Sequence, residues 1–209
     1  MHQRIFYCLV LLVCARVNAQ TKTNYTQEPP LQYEVLLNGK VYPITEAIPK
    51  RISGTFNNPE IRVHTLPYRH FENEVLVFDY PIYFNFNFEK EGSAYSNWTF
   101  NGKSVTVMQF LMGAEVPLKD FVTQMLHKFG EANCTVNYDK EVIGKIELET
   151  ANLLVRIVGQ PLNIKFYARS TQRQTYFLAI QDALNEDESA TTEYNQFLIL
   201  LKRTLQWKK

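Results

Sequence analysis

Residues 82–89 read Ile-Tyr-Phe-Asn-Phe-Asn-Phe-Glu, and residues 98–107 read Trp-Thr-Phe-Asn-Gly-Lys-Ser-Val-Thr-Val. In the first segment, Ile or Phe at the even positions alternates with more polar residues, which predicts a β-strand with one apolar and one polar face. In the second segment, Asn101-Gly102 predicts a two-residue type I′ hairpin turn, because Asn and Gly tolerate a positive φ. Residues 82–110 therefore predict the aromatic antiparallel strands around which the rest of the chain folds.

Other segments predict more antiparallel strands. Asn38-Gly39, with β-branched and aromatic flanks, predicts a second hairpin. Alternating or β-branched runs predict strands at residues 61–66, 75–80, 134–138, 142–149, 151–158 and 163–168. Turns are expected at residues 137–140 and 159–161. Residues 175–184 fit either a helix or a strand.

Two segments have the apolar spacing of amphipathic helices. Residues 117–130 begin with Pro and end with Gly, which are typical helix boundary residues. Near the C-terminus, the apolar face of a second helix begins at Ala190, and Asn185 with Glu188 suggests a capping box at its start. The fold class predicted is α+β: an antiparallel β-rich body with hairpins, one mid-chain amphipathic helix and one C-terminal amphipathic helix.

The N-terminus resembles a secretory signal peptide. A basic start is followed by an apolar run, residues 5–14, and by Val17-Asn18-Ala19 before the expected cleavage site. We expect a signal peptide at 1–19, a flexible N-terminal arm at 20–31 and a single α+β globular domain at 32–209. The apolar run is too short to span a membrane. Localisation outside the cell is the resulting expectation.

Charge gives little indication of an ionic partner. The whole chain carries a formal charge of +1, and removal of Arg4 and Arg16 with the signal peptide leaves 20 basic and 21 acidic residues. A nearly neutral chain is not drawn strongly to nucleic acid or to anionic membranes. No nucleic-acid partner and no membrane span are therefore expected.

Three sequons predict N-glycosylation at Asn24, Asn97 and Asn133, and the last two are expected to lie in loops. Cys134, inside the third sequon, is the one cysteine that remains after signal cleavage. Its thiol is expected to be free and turned toward the core, with a disulfide to another chain as the alternative. Lys50-Arg51 and Lys202-Arg203 are either processing sites or ordinary surface charge.

No catalytic or metal-binding motif was found. His64, His70 and His127 match no known spacing, and no cluster of Cys and His suggests zinc. We therefore expect a non-enzymatic protein without a cofactor or a metal, which binds another extracellular or cell-surface protein. The alternative is a carrier of an apolar small molecule or lipid, held between the aromatic strand and the first helix.

Overall fold

The computed structural model describes residues 25–143, 146–157, 159–171 and 173–208. The predicted signal peptide, its cleavage site and Asn24 lie outside the described residues. In chain order the strands are β1 (Gln32–Leu37), β2 (Lys40–Thr45), β3 (Ile61–Thr65), β4 (Tyr68–Glu72), β5 (Leu76–Pro81), β6 (Asn85–Glu91), β7 (Tyr95–Asn101), β8 (Val105–Met112), β9 (Cys134–Ile143), β10 (Ile146–Ile157), β11 (Gln160–Ser170), β12 (Thr175–Ala183) and β13 (Gln206–Trp207). The helices are α1 (Leu118–Phe129) and α2 (Thr192–Thr204).

A seven-stranded antiparallel sheet forms the central layer, in the order β6-β7-β8-β12-β11-β10-β9. The smaller sheets have the orders β13-β5-β4 and β2-β1-β3, and both are also antiparallel. The β-rich α+β class, with one helix in mid-chain and one near the C-terminus, is confirmed.

Each face of the seven-stranded sheet carries its own apolar cluster. On one face, Phe100 of β7 lies among aromatic rings of β4 and β5, with ring centroids 4.9 Å from Phe71 and 4.6 Å from Tyr80. The cluster continues under α2 through Phe197 and Leu201. On the other face, α1 packs on β8, β10, β11 and β12, with the Phe121 ring stacked on Phe177 at 4.2 Å.

This arrangement corrects the expectation that the aromatic strand faces the first helix. Phe86 and Phe88 of β6 pack with the α2 cluster, whereas α1 belongs to the opposite cluster. β6 also begins at Asn85, later than expected. Of the three residues before it, Ile82 and Tyr83 are exposed, and Phe84 is the one that is buried in the core. A cavity between these two elements is therefore not part of the fold.

The two Asn-Gly pairs have different roles. Asn38 and Gly39 connect β1 to β2, so the hairpin predicted there is confirmed, and their φ values of 49° and 80° are positive as in a type I′ turn. At the second pair the hairpin forms, but the turn is not Asn101-Gly102. Asn101 pairs with Thr106 within the ladder, and Gly102 N–H donates to the Val105 carbonyl at 2.7 Å, which places the turn at Lys103-Ser104.

Other local predictions were wrong in register or boundary. The expected turn at residues 137–140 lies inside β9, and the two strands expected at 142–149 and 151–158 are replaced by the end of β9 and the continuous strand β10. Residues 175–184, left open between helix and strand, contain β12. The helix α1 at residues 118–129 was predicted correctly, with Gly130 at φ 83° after its last residue.

The C-terminal helix begins later than the proposed capping box. Its N-cap is Thr191, whose hydroxyl accepts a hydrogen bond from Tyr194 N–H. The buried carboxylate of Asp182 accepts hydrogen bonds from the Thr191 N–H at 3.0 Å and from the Thr191 hydroxyl at 2.6 Å. Asn185 and Glu188 instead belong to the turn before the helix, where Glu188 has a φ of 62°.

The described part of the predicted N-terminal arm contacts the body of the protein. The Tyr25 carbonyl accepts a hydrogen bond from Trp98 Nε1 at 2.7 Å, and its hydroxyl donates to Glu74 at 2.7 Å. Glu28 forms an ion pair with Arg69 at 3.2 Å. Residues 25–28 are thus attached to β4, β7 and the segment before β5.

Candidate functional site

The sheet β2-β1-β3 has an apolar face. Residues paired across antiparallel strands point to the same side of the sheet, so the register brings together alternate residues of the three strands. We call this set the N-terminal apolar face. Its apolar members are Tyr33, Val35, Leu37, Tyr42, Ile44, Ile61 and Val63.

The β3 part of this face is open to solvent, whereas Leu37 of β1 is only 8% exposed. Ile61 and Val63 are each 59% exposed, and no member of the face belongs to either of the two core clusters. Of the eleven large apolar side chains that are exposed in the described residues, five lie between positions 41 and 63. Exposed apolar surface is therefore concentrated in this part of the protein.

The same sheet has two free edges. β1 is the central strand, so β2 and β3 each have one side without a paired strand within the described sheet. All five residues of β3 are exposed. Free backbone N–H and C=O groups beside an apolar face can pair with an extended segment of another chain. Pro43 lies in the edge strand β2, as expected for a residue that cannot donate to the ladder.

A cleft of about 520 Å³ lies beside Tyr25. Phe88, Trp98 and Leu111 supply apolar surface, and Asn73 and Ser96 are among its polar residues. Asn73 is buried and fully engaged, because its Oδ1 accepts from Val75 and Leu76 N–H and its amide donates to Gln109 at 2.6 Å. Asn73 thus supports the turn before β5.

The sequons lie in different environments. Asn133 is exposed at the end of a short 3₁₀ turn, and its amide donates to the Phe129 carbonyl at 3.1 Å. Asn97 was expected in a loop but lies inside β7, where it is 9% exposed and its amide donates to the Thr99 hydroxyl at 3.0 Å. Glycosylation at these two positions stays a prediction, as it does for Asn24.

Cys134 opens β9, directly after Asn133. Its side chain is partly buried against the α1 cluster, and burial raises the pKa of the thiol. A raised pKa lowers the thiolate fraction at neutral pH, and the thiolate is the reactive form. The thiol therefore has the character of a packing residue rather than of a nucleophile.

The histidines are separate from one another. His70 pairs with Asp79 at 2.8 Å, and this hydrogen bond raises the pKa of His70 above its ordinary value. His127 lies 3.1 Å from Glu131, and His64 is exposed on β3. Among the described residues, no three His, Cys, Asp or Glu side chains are grouped so that they could hold a metal ion.

The N-terminal apolar face could be anticipated only in part. Alternation in residues 61–66 predicted β3, and Asn38-Gly39 predicted the β1–β2 hairpin. Neither pattern indicates whether another layer covers the apolar side of a strand. Alternation shows which side of a strand is apolar, but it does not show what packs against that side.

In the part of the chain that the structure describes, no helix is long and apolar enough to cross a membrane.

Solved structures match this chain, whereas family models and curated proteins do not. No protein-family model and no curated protein matches it. Nine chains of solved structures match. One is a crystal structure from Bacteroides thetaiotaomicron VPI-5482, with a TM-score of 0.37 and 12% identity over 64% of this chain and 45% of that one. The chain thus spans less than half of that protein's length, and the similarity is too low to support a conclusion about function.

Proposed function

We propose that this protein is a secreted, N-glycosylated and non-enzymatic binding module that recognises another extracellular protein through the N-terminal apolar face. The observation that carries the proposal is the exposure of Ile61 and Val63 on a three-stranded sheet whose two edges are free. Apolar surface with neighbouring unpaired strand edges is typical of protein-binding sites.

The chemistry of the face supports a protein partner. Val63 of β3 pairs with Val35 of β1, which pairs with Tyr42 of β2, so a tyrosine lies in the same row of the face, and tyrosines are enriched at protein interfaces. The opposite side of β3 presents the polar residues Arg62 and His64, although Leu36 and Val41 of the neighbouring strands lie on that side too. An extended apolar segment of a partner could add to β3 and cover the apolar side without burying these polar side chains.

The experiment compares two double variants that change the same strand. Ile61→Gln with Val63→Gln removes apolar groups from the N-terminal apolar face, whereas Arg62→Gln with His64→Gln changes its polar side and serves as the matched control. Each tagged protein is crosslinked in extracellular fluid of the source organism. Captured proteins are identified by mass spectrometry, and the candidate partner is then titrated in purified form.

We expect the purified partner to bind the wild type and the control with similar Kd. Its Kd for the apolar-face variant should rise at least about tenfold, as for truncation of an interface hot spot. Circular dichroism should show the same fold for all three proteins, because the changed residues are exposed. Equal binding to both double variants, or equal loss from both, would contradict the assignment of this face.

A further inference from the structure

A separate apolar groove lies between α2 and the end of β9. Its volume is about 320 Å³, and none of its residues belongs to the N-terminal apolar face. Its lining combines the last residues of β9, one residue of β11, and residues of α2 and just beyond. These are Glu141, Val142, Ile143, Tyr167, Leu198, Leu201, Lys202 and Leu205.

The floor of the groove is closed and its mouth is open. Tyr167, Leu201 and Leu205 are buried and form part of the α2 cluster. Val142 is 68% exposed although it is aliphatic, and Leu198 on the facing helix is only partly buried. Apolar side chains thus remain open to solvent on both walls, over a base that the core already supports.

The charges at the groove are not balanced. Glu141 forms an ion pair with Lys165, so the negative charge at one end is neutralised. Lys202, which also lines the groove, has no ion-pair partner among the described residues. Burial raises the pKa of the Tyr167 hydroxyl, so this group is neutral at ordinary pH and adds no charge. A single cation at the rim of an apolar groove complements a ligand with one acidic group.

We propose that this groove binds a small amphipathic carboxylate, with its apolar chain against Val142, Leu198 and Leu205 and its carboxylate at Lys202. The volume lies at the lower end of small-molecule sites, about 300–1,000 Å³, which favours a compact ligand such as a medium-chain fatty acid. This inference does not depend on the protein-binding proposal, because the two surfaces share no residue.

The test uses decanoate and decanol, which share an apolar chain and differ in charge. Both are titrated by calorimetry, below their aggregation limits, into the wild type and into Lys202→Met. Lys128→Met, at the end of α1, is the control for loss of an exposed lysine. A photoreactive decanoate analogue then identifies the labelled peptides.

We expect the wild type to bind decanoate more tightly than decanol. Lys202→Met should weaken decanoate about threefold to fivefold, the value of an exposed ion pair, and should leave decanol unchanged. Lys128→Met should change neither, and photolabel should appear on peptides that contain Val142 or Leu198. Absence of binding, an unchanged decanoate affinity in Lys202→Met, or label confined to other peptides would overturn the proposal.

Discussion

Single residues show why the same dipeptide can have two roles. Gly39 has a φ of 80°, and a Cβ placed there would meet no other atom within 4 Å. Glycine is therefore needed at this position for its backbone conformation and not for space. Gly102 does not have a positive φ, and a Cβ there would lie 2.7 Å from Phe84 Cε1 and 2.9 Å from the Glu193 carboxylate. The positive φ at Gly39 is a local requirement that the sequence of the turn predicts. The lack of space at Gly102 comes from Phe84 and from Glu193 of α2, and the Asn-Gly dipeptide does not indicate it.

Gly102→Val should destabilise the protein by about 1–3 kcal/mol, as expected for overpacking of a close contact. Gly39→Ala should cost about 1–2 kcal/mol through its left-handed backbone alone. Urea unfolding gives both values. If Gly102→Val has the same unfolding midpoint as the wild type, the close approach of Phe84 and Glu193 does not constrain this position.

At the scale of elements, α2 is anchored to the β7–β8 hairpin by one carboxylate. Glu193 accepts hydrogen bonds from the N–H groups of Lys103, Ser104 and Val105 at 3.1, 2.6 and 2.9 Å, and from the Ser104 hydroxyl at 3.0 Å. Partial burial acts to raise the pKa of Glu193, but these hydrogen bonds together lower it below its ordinary value. The interaction joins residues about 90 positions apart and thus fixes α2 over the sheet.

Glu193→Gln should lower the free energy of unfolding by about 1–2 kcal/mol near pH 7, because the amide presents an N–H group to backbone donors. The folded pKa is depressed, so the stabilisation is present above the unfolded value of 4.5 and is lost as pH falls through the folded pKa. Urea unfolding from about pH 7 to pH 3 should show the difference between variant and wild type shrinking. Glu186→Gln, in the exposed turn, is the control, and a pH-independent difference would contradict the role of the Glu193 charge.

Sequence patterns identified most elements but missed their ends. β12 was ambiguous because its residues 177–180 are all buried, and a strand covered on both faces loses the alternation that identifies it. The turn expected at residues 137–140 is absent because polar residues of the edge strand β9 face solvent instead of ending the strand. The start of α2 was misplaced because Thr191, rather than Asn185, has the Asp182 carboxylate beneath it.

For the whole molecule, sequence patterns predicted the α+β fold class but not which face of the central sheet each element packs against. Apolar periodicity identified one face of α1 and one face of β6, yet the apolar side chains of β6, a strand of the central sheet, point to the face opposite the one that α1 covers. The strand order is not local information either, since β12 returns to lie beside β8 and α1 lies over β10. The exposure of β3 in the N-terminal apolar face also depends on which other described elements cover it, and a local sequence pattern does not report that.

Tyr25, at the start of the described chain, covers the buried side chain of Trp98. Tyr25 contacts Trp98 edge to face at 6.0 Å, and Trp98 is only 2% exposed. In a Trp207→Phe background, where Trp98 is the remaining tryptophan, Tyr25→Ala should shift the emission to longer wavelength and increase quenching by iodide. Gln27→Ala is the control. An unchanged spectrum would show that the Tyr25 ring does not shield Trp98.

The position of Asn97 links folding to biosynthesis. Its amide is enclosed in β7 between β6 and β8, so an oligosaccharyltransferase can reach it only before this meander has formed. Asn133, on the surface, stays accessible afterwards. If the chain enters a secretory compartment, the ratio of glycan occupancy at Asn97 to that at Asn133 therefore reports on two rates. It compares the rate at which the hairpins form with the rate at which the chain is translocated.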